Sequence, residues 1–272
     1  MPSAAQTFAT HTLQQGDAPL VISVPHAGTA VPQDLVPQLT PLALTIPDTD
    51  WHVGELYDFA PALGATMIVA RYSRYLIDLN RPPDDAALYA QSAQTGLCPT
   101  QSFAGEALYV AGAAPSGTAE IERRRRRYWQ PYHDALRAQL DAVRARHGYA
   151  LLLDAHSIRS VVPRLFAGRL PDINVGTFDA RSCAGAVIDA VRARLLAAPR
   201  WSHVFDGRFK GGYITRHCGR PDLGVHALQI ELAQCSYMDE SGTVYEAGRA
   251  APLRELLRQV IAALLELPLA RA

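Results

Sequence analysis

Apolar residues along this chain gather in short runs closed by Pro, Gly or acidic residues. These runs alternate with longer stretches in which apolar positions return every three or four residues. Residues 20–24, Leu-Val-Ile-Ser-Val, are closed by Pro25 and Gly28 and predict a buried strand and a turn. Asp50 is placed to cap a helix over 51–63, with Trp51, Leu56, Phe59 and Leu63 near helical spacing and Gly64 as its stop. Residues 65–70 predict a second strand, and 75–79 another short extended piece. From 81 to 117 the chain is rich in Pro, Gly, Ser, Ala and Gln and has no period. That predicts a long loop, a type of segment that in compact domains is often functional.

Thr118 opens the strongest helical pattern, with Glu120 and Glu122 in its first turn where the helix dipole favours acids. The helix is expected to run to His147, stop at Gly148 and kink at Pro131. Residues 149–154 predict the next strand, 182–198 a helix, 224–232 a strand, and 245–265 contain a closing amphipathic helix. Strands alternating with helices imply an α/β fold: a mixed, largely parallel sheet with helices on both faces. Without an internal repeat or a linker, residues 1–272 are expected to form a single domain, with 1–17 peripheral.

Composition narrows the partner. Lys+Arg and Asp+Glu both number 26, so no basic field attracts nucleic acid, and a small metabolite is the natural ligand. Cys98, Cys183, Cys218 and Cys235 form no CxxC pair, which argues against a cysteine zinc site or a disulfide framework and for the cytoplasm. No signal-peptide pattern opens the chain, and no apolar run approaches the roughly 18 residues of a membrane span.

The chemistry gathers at strand ends. His26 and His156 each lie where an apolar run gives out, and a third run, 224–231, ends on Glu231. In an open α/β sheet the carboxyl ends of strands are where ligands bind. Two imidazoles and a carboxylate delivered there suggest a metal-assisted hydrolase. A catalytic metal needs a third ligand, and Thr29 stands where a carboxylate three residues after His26 would be expected. Asp50 is the first choice, with Asp48 and His52 as rivals. Glu231 follows an apolar run, so it is expected to be poorly solvated and to act as general base.

Residues 71–82 carry Arg71, Arg74 and Arg81 around a short apolar stretch, with Asn80 beside the last. Guanidinium and amide groups there suit an acidic substrate, or one guanidinium can steady an oxyanion. Two histidines and a carboxylate also make the facial triad of a non-haem Fe(II) oxygenase, and a metal-free binding protein is a third reading. The arginine run 123–127 reads as solvated helix surface. Residues 210–213 form a Gly-rich turn without the P-loop pattern or an expected helix after it, and no G-x-S-x-G elbow is present.

Seven ordered blocks, VPHAG, DTDWHVGELYDF, SRYLIDLNRP, YWQPYHDAL, LLLDAHS, FKGGYITRHCGRP and HALQIELAQCSYMDE, resemble the N-formylglutamate deformylase (N-formylglutamate amidohydrolase) family. The likeness runs from about Leu20 to Met238. It implies a phosphorylase/hydrolase-like fold related to the zinc carboxypeptidases, and hydrolysis of N-formyl-L-glutamate to L-glutamate and formate in histidine degradation. It also implies one divalent metal, zinc foremost, with His26, Asp50 and His156 as ligands and Glu231 as base. Arg74 would steady the oxyanion, and Asn80, Arg81 and Arg216 would hold the substrate carboxylates. Other N-acyl amino acids or short peptides are the alternative substrates. Gly54, Cys218 and Phe178 depart from the residues expected in the family, and the latter two are expected to alter the substrate pocket.

Overall fold

Seven strands form one sheet in a computed structural model that describes residues 9–86 and 95–269. In chain order they are β1 (His11–Gln14), β2 (Leu20–Val24), β3 (Thr66–Ala70), β4 (Ala150–Ile158), β5 (Ile173–Gly176), β6 (His203–Phe205) and β7 (Val225–Ala233). Their spatial order is β1-β3-β2-β4-β7-β5-β6. The β1–β3 and β5–β7 pairings are antiparallel and the others parallel. The helices are α1 (Pro41–Leu44), α2 (Val53–Leu56), α3 (Thr118–Arg124), α4 (Gln130–His147), α5 (Gly185–Leu196), α6 (Tyr213–Cys218) and α7 (Ala247–Leu265).

The strand pleat sends successive side chains to opposite faces. Leu20, Ile22 and Val24, with Met67, Leu151 and Leu153, face the core shared with α2, α5 and α7. Val21, Ile68, Ala150 and Leu152 face the core shared with α4 and α6. Burial on both faces explains why the central strands read as unbroken apolar runs rather than as alternating ones. The chain steps from β2 to β3 on one side and then crosses back to β4 on the other. This reversal opens a crevice at the carboxyl ends of β2 and β4, where α/β sheets bind ligands.

Several expected elements change. The helix over 51–63 breaks into α2 and a 3-10 turn, Ala60–Leu63, because His52 takes a left-handed φ of 61° and Pro61 cannot donate to a continuing helix. Asp50 caps nothing: His52 precedes α2, and no side chain caps it. Residues 75–79 are turn and irregular backbone rather than a strand. The expected loop 81–117 holds no helix or strand among its described residues; 87–94 lie outside them, as do 1–8 of the peripheral segment. The 118–147 helix is interrupted by one π-helical stretch, Arg125–Trp129, just before Pro131. The wider turn lets Pro131 enter α4 where an ordinary turn would force its ring against the preceding carbonyl. A helix, α6, does follow the Gly-rich turn 210–213.

The arginine run 123–127 is not all surface either. Arg124 is fully buried, donating to Glu120 Oε1 (2.7 Å), to the Leu76 carbonyl (3.0 Å) and to the Tyr109 hydroxyl (2.7 Å). It therefore ties the long helix to the loop after β3.

His133 makes a parallel tie. Its Nε2 donates to the Leu79 carbonyl (2.8 Å), its ring stacks on Trp129, and burial pushes its pKa down to about 4. The fold holds the neutral imidazole, whereas the unfolded chain titrates near 6.5. Stability from this group is therefore complete above about pH 6.5 and is lost as pH falls toward about 4. Between pH 7 and pH 5 the loss should be about 2 kcal/mol. His133→Gln, which keeps a donor but does not titrate, should shrink the difference between urea unfolding curves at these two pH values. An unchanged difference would rule out His133 as its source.

Candidate active site

The site forms at the crevice between β2 and β4. His26 lies two residues past the end of β2, and Ser23 pairs with Asp154, which sets His26 and His156 side by side with ring centroids 4.9 Å apart. Asp50 comes from the turn before α2, where its backbone N–H donates to the His26 carbonyl (3.1 Å). Its Oδ2 accepts from the Ser157 N–H (3.0 Å) and lies 3.1 Å from His156 Nδ1 and 3.8 Å from His26 Nδ1. All three side chains are buried, and their ligand atoms lie within 4.8 Å of one another.

The far nitrogens of both rings are anchored. His26 Nε2 donates to Asp78 Oδ1 (2.7 Å), and His156 Nε2 lies 3.0 Å from Asp154 Oδ2. Carboxylates in these places favour a proton on Nε2, so that neutral imidazoles would turn both Nδ1 lone pairs inward, as metal-binding histidines require. His26 Nδ1 is buried and has no hydrogen-bond partner, an arrangement rare in a native interior. Two inward nitrogens, one of them orphaned, and a carboxylate make a donor set that fits a divalent metal.

Acids outnumber the one arginine around the set. Arg74 donates to Asp78 Oδ2 (2.7 Å) and faces Asp50 Oδ1 at 3.5 Å. Burial alone would raise Asp78, but Arg74 and His26 outweigh it and hold the carboxyl well below its ordinary range. Asp50 likewise lies low: burial opposes its charge, and the bond from His156 and the His26 charge prevail. Burial and Arg74 depress His26, whereas on His156 the two neighbouring acids overcome burial and raise it.

Glu231 stands beside this cluster because β4 and β7 pair in parallel with His156 opposite Glu231 and Asp154 opposite Gln229. All four side chains share one face. Burial pushes the Glu231 carboxyl up to about 8, and Gln229 Nε2 donates to its Oε2 (3.0 Å).

Among the rivals for third ligand, His52 turns away to the Thr243 carbonyl (2.9 Å) and Asp48 accepts from the Phe103 N–H (2.7 Å). Arg74, Asn80, Arg81 and Glu231 line one cavity with His26 and His156. Arg216 does not line it; it donates to the Gly211 carbonyl (2.7 Å) and lies over Phe178. Phe178 and Cys218, expected to shape the pocket, do not line the cavity either.

A family model for N-formylglutamate amidohydrolase matches residues 18–238. The chain belongs to that family. It is 49% identical over 255 residues to an N-formylglutamate deformylase of Pseudomonas putida, covering 93% of this chain and 95% of that one. Identity to an N-formylglutamate deformylase of Pseudomonas aeruginosa is 48% with the same coverage. A crystal structure of N-formylglutamate amidohydrolase from Ralstonia eutropha JMP134 matches with a TM-score of 0.79 at 26% identity, over 94% of this chain and 96% of that chain.

The protein is thus an amidohydrolase, and the oxygenase and binding-protein readings fall away. Within this N-formylglutamate amidohydrolase family member, several site residues had no sequence assignment. Asp78 orients His26, Gln229 orients Glu231, and Arg208, Phe103 and Phe209 line the cavity. Asp78 had a readable signal as a lone acid within Leu76-Ile77-Asp78-Leu79, and Gln229 lies two residues before Glu231 on the same strand. Arg208 comes from a loop with no periodicity to mark it.

Arg74 is the counter-charge to two buried acids, so Arg74→Ala should lower unfolding free energy by about 3–5 kcal/mol in metal-free buffer. Removing the exposed Arg137, which pairs with Asp134, should change it by less than about 1 kcal/mol. Equal effects in parallel urea titrations would refute the buried-cluster account.

Proposed function

We propose that this chain hydrolyses the formamide bond of N-formyl-L-glutamate, giving L-glutamate and formate, with one divalent metal, zinc foremost. The observation that carries the reading is the convergence of His26 Nδ1, His156 Nδ1 and Asp50 Oδ2 beside Glu231 in one cavity. The relatives named as N-formylglutamate deformylases support the substrate. The resemblance to that family also supports a place in histidine degradation, and four free cysteines fit the reducing cytoplasm.

His26, Asp50 and His156 would hold the metal, which when bound supplies Lewis acidity to the formyl carbonyl and to the attacking water. Glu231 Oε2 is engaged by Gln229, so Oε1 is the atom that takes the water's proton. The ionised carboxylate that accepts this proton would be favoured beside a bound cation, and burial, which pushes the carboxyl up to about 8, favours its later delivery to the departing amine nitrogen. Arg74, fixed by Asp78 and aimed into the cavity, steadies the negative charge that develops on the carbonyl oxygen. Arg81, with Asn80 behind it, takes a substrate carboxylate. Asn80 itself is held by Asp154 (3.3 Å) and by the Ile214 N–H (2.8 Å).

Formate release from N-formyl-L-glutamate, compared with N-formyl-Gln, N-formyl-Asp and the N-acetyl and N-succinyl glutamates, tests the substrate. No preference for the formyl group would sink it. Glu231→Gln should retain stoichiometric metal while kcat drops by about 10²–10⁴-fold. Near-normal turnover would remove Glu231 as the base. Asp154→Asn frees the far nitrogen of His156 and should weaken metal affinity by about 10–100-fold, read by competition with a chromophoric chelator. Unchanged affinity would mean that Asp154 does not orient the ligand.

A further inference from the structure

We propose that Arg208 recognises the side-chain carboxylate of the substrate and sets the preference for an acidic amino acid. This assignment rests on the deformylase reading above. N-Formylglutamate presents two carboxylates. The α-carboxylate is separated from the amide nitrogen by a single carbon, and the side-chain carboxylate lies two methylenes further out. Two anchors at different depths are therefore needed. Arg81 is the inner one: it follows Asn80, whose amide nitrogen lies 3.0 Å from His156 Nε2. Arg208 is the outer one. It lines the same cavity, and its Nε donates to the Leu165 carbonyl (2.7 Å), in the turn that follows β4.

The cavity that holds both anchors also has an apolar wall. Phe103, Leu165 and Phe209 line the cavity and pack on the small cluster of Ile158, Val162 and Leu170. It suits the two methylenes that separate the carboxylates of glutamate. The loop bearing Arg208 is also held in place before any ligand arrives. Asp206 accepts from the Thr177 N–H (2.7 Å) and hydroxyl (2.5 Å), and its own N–H donates to the Val175 carbonyl (2.8 Å). Beyond Arg208, the Lys210 carbonyl accepts from the Phe178 N–H (2.7 Å), and Phe209 packs edge-on against Phe166. A guanidinium fixed at both flanks binds a carboxylate with little ordering to lose.

The test compares wild type, Arg208→Gln and Arg208→Lys on N-formyl-L-glutamate and on the isosteric N-formyl-L-glutamine. Arg208→Gln should raise KM for the glutamate derivative by about 100-fold while kcat stays within about threefold, as for loss of a binding contact to a charged group. The glutamine derivative should be little affected, so the wild-type preference collapses. Arg208→Lys should restore part of it. Equal losses on both substrates, or a fall in kcat with the preference intact, would overturn the assignment and mark Arg208 as structural. Wild type that releases formate from neither compound would overturn the deformylase reading along with it. Active wild type with an unchanged preference in Arg208→Gln overturns the Arg208 role alone.

Discussion

His26, Asp50, Arg74, Asp78 and His156 are taken out of water together at the carboxyl edge of the sheet. An isolated buried charge is far too costly for a fold whose net stability is about 5–15 kcal/mol, so each of these groups must be partnered. The hydrogen bonds and ion pairs supply nearly all the partners. With both imidazoles neutral, Asp50, Asp78 and Asp154 set against Arg74 leave two negative charges, three minus one, and one orphaned imidazole nitrogen at their centre. A divalent cation held by neutral imidazoles answers both deficits at once. The strongest constraint on the fold is therefore also the feature that supports a metal-dependent reaction.

The sheet satisfies that constraint through register. Parallel pairing of β4 with β7 runs over nine residue pairs from Ala150–Val225 to Ile158–Ala233, and a slip of one residue would turn Glu231 to the opposite face from His156. The apolar half of β7 prevents the slip, since Leu228 and Ile230 would leave their core together. Packing thus fixes the distance between Glu231 and His156 without any contact between the two being required.

The strands and both histidines were legible in the sequence because a continuous apolar run that ends on a polar residue has few readings in an α/β fold. Asp50 was legible as a candidate ligand only by elimination, and its expected role as a helix cap was wrong because His52 adopts a left-handed backbone conformation. The short strands β1, β5 and β6 were missed: four residues or fewer carry no period. The helix α6 was missed because its first turn depends on a tertiary contact. Gly212 must lack a side chain there, since a Cβ would meet the Asn80 amide at 2.3 Å, and the Ile214 N–H then donates to Asn80 Oδ1. Arg216 was expected to hold a substrate carboxylate, yet Arg208, eight residues earlier in an irregular loop, is the one of the two that lines the cavity.

That contact also explains why a helical block far from the chemistry carries the family likeness. Residues 79–81 form an irregular segment whose carbonyls no sheet satisfies. His133 of α4 donates to the Leu79 carbonyl, the Tyr213 N–H at the start of α6 to that of Asn80 (3.4 Å), and Trp129 Nε1 to that of Arg81 (3.1 Å). Three successive carbonyls are thus held by two helices, and the same helices fill the core behind β2 and β4. The block YWQPYHDAL acts as a splint for Asn80 and Arg81. Its π-helical stretch ends at Trp129, four residues before His133, so the widened turn sets the spacing at which the two rings stack and reach the segment together. Irregular backbone at the site is precise here because regular structure hydrogen-bonds it from behind.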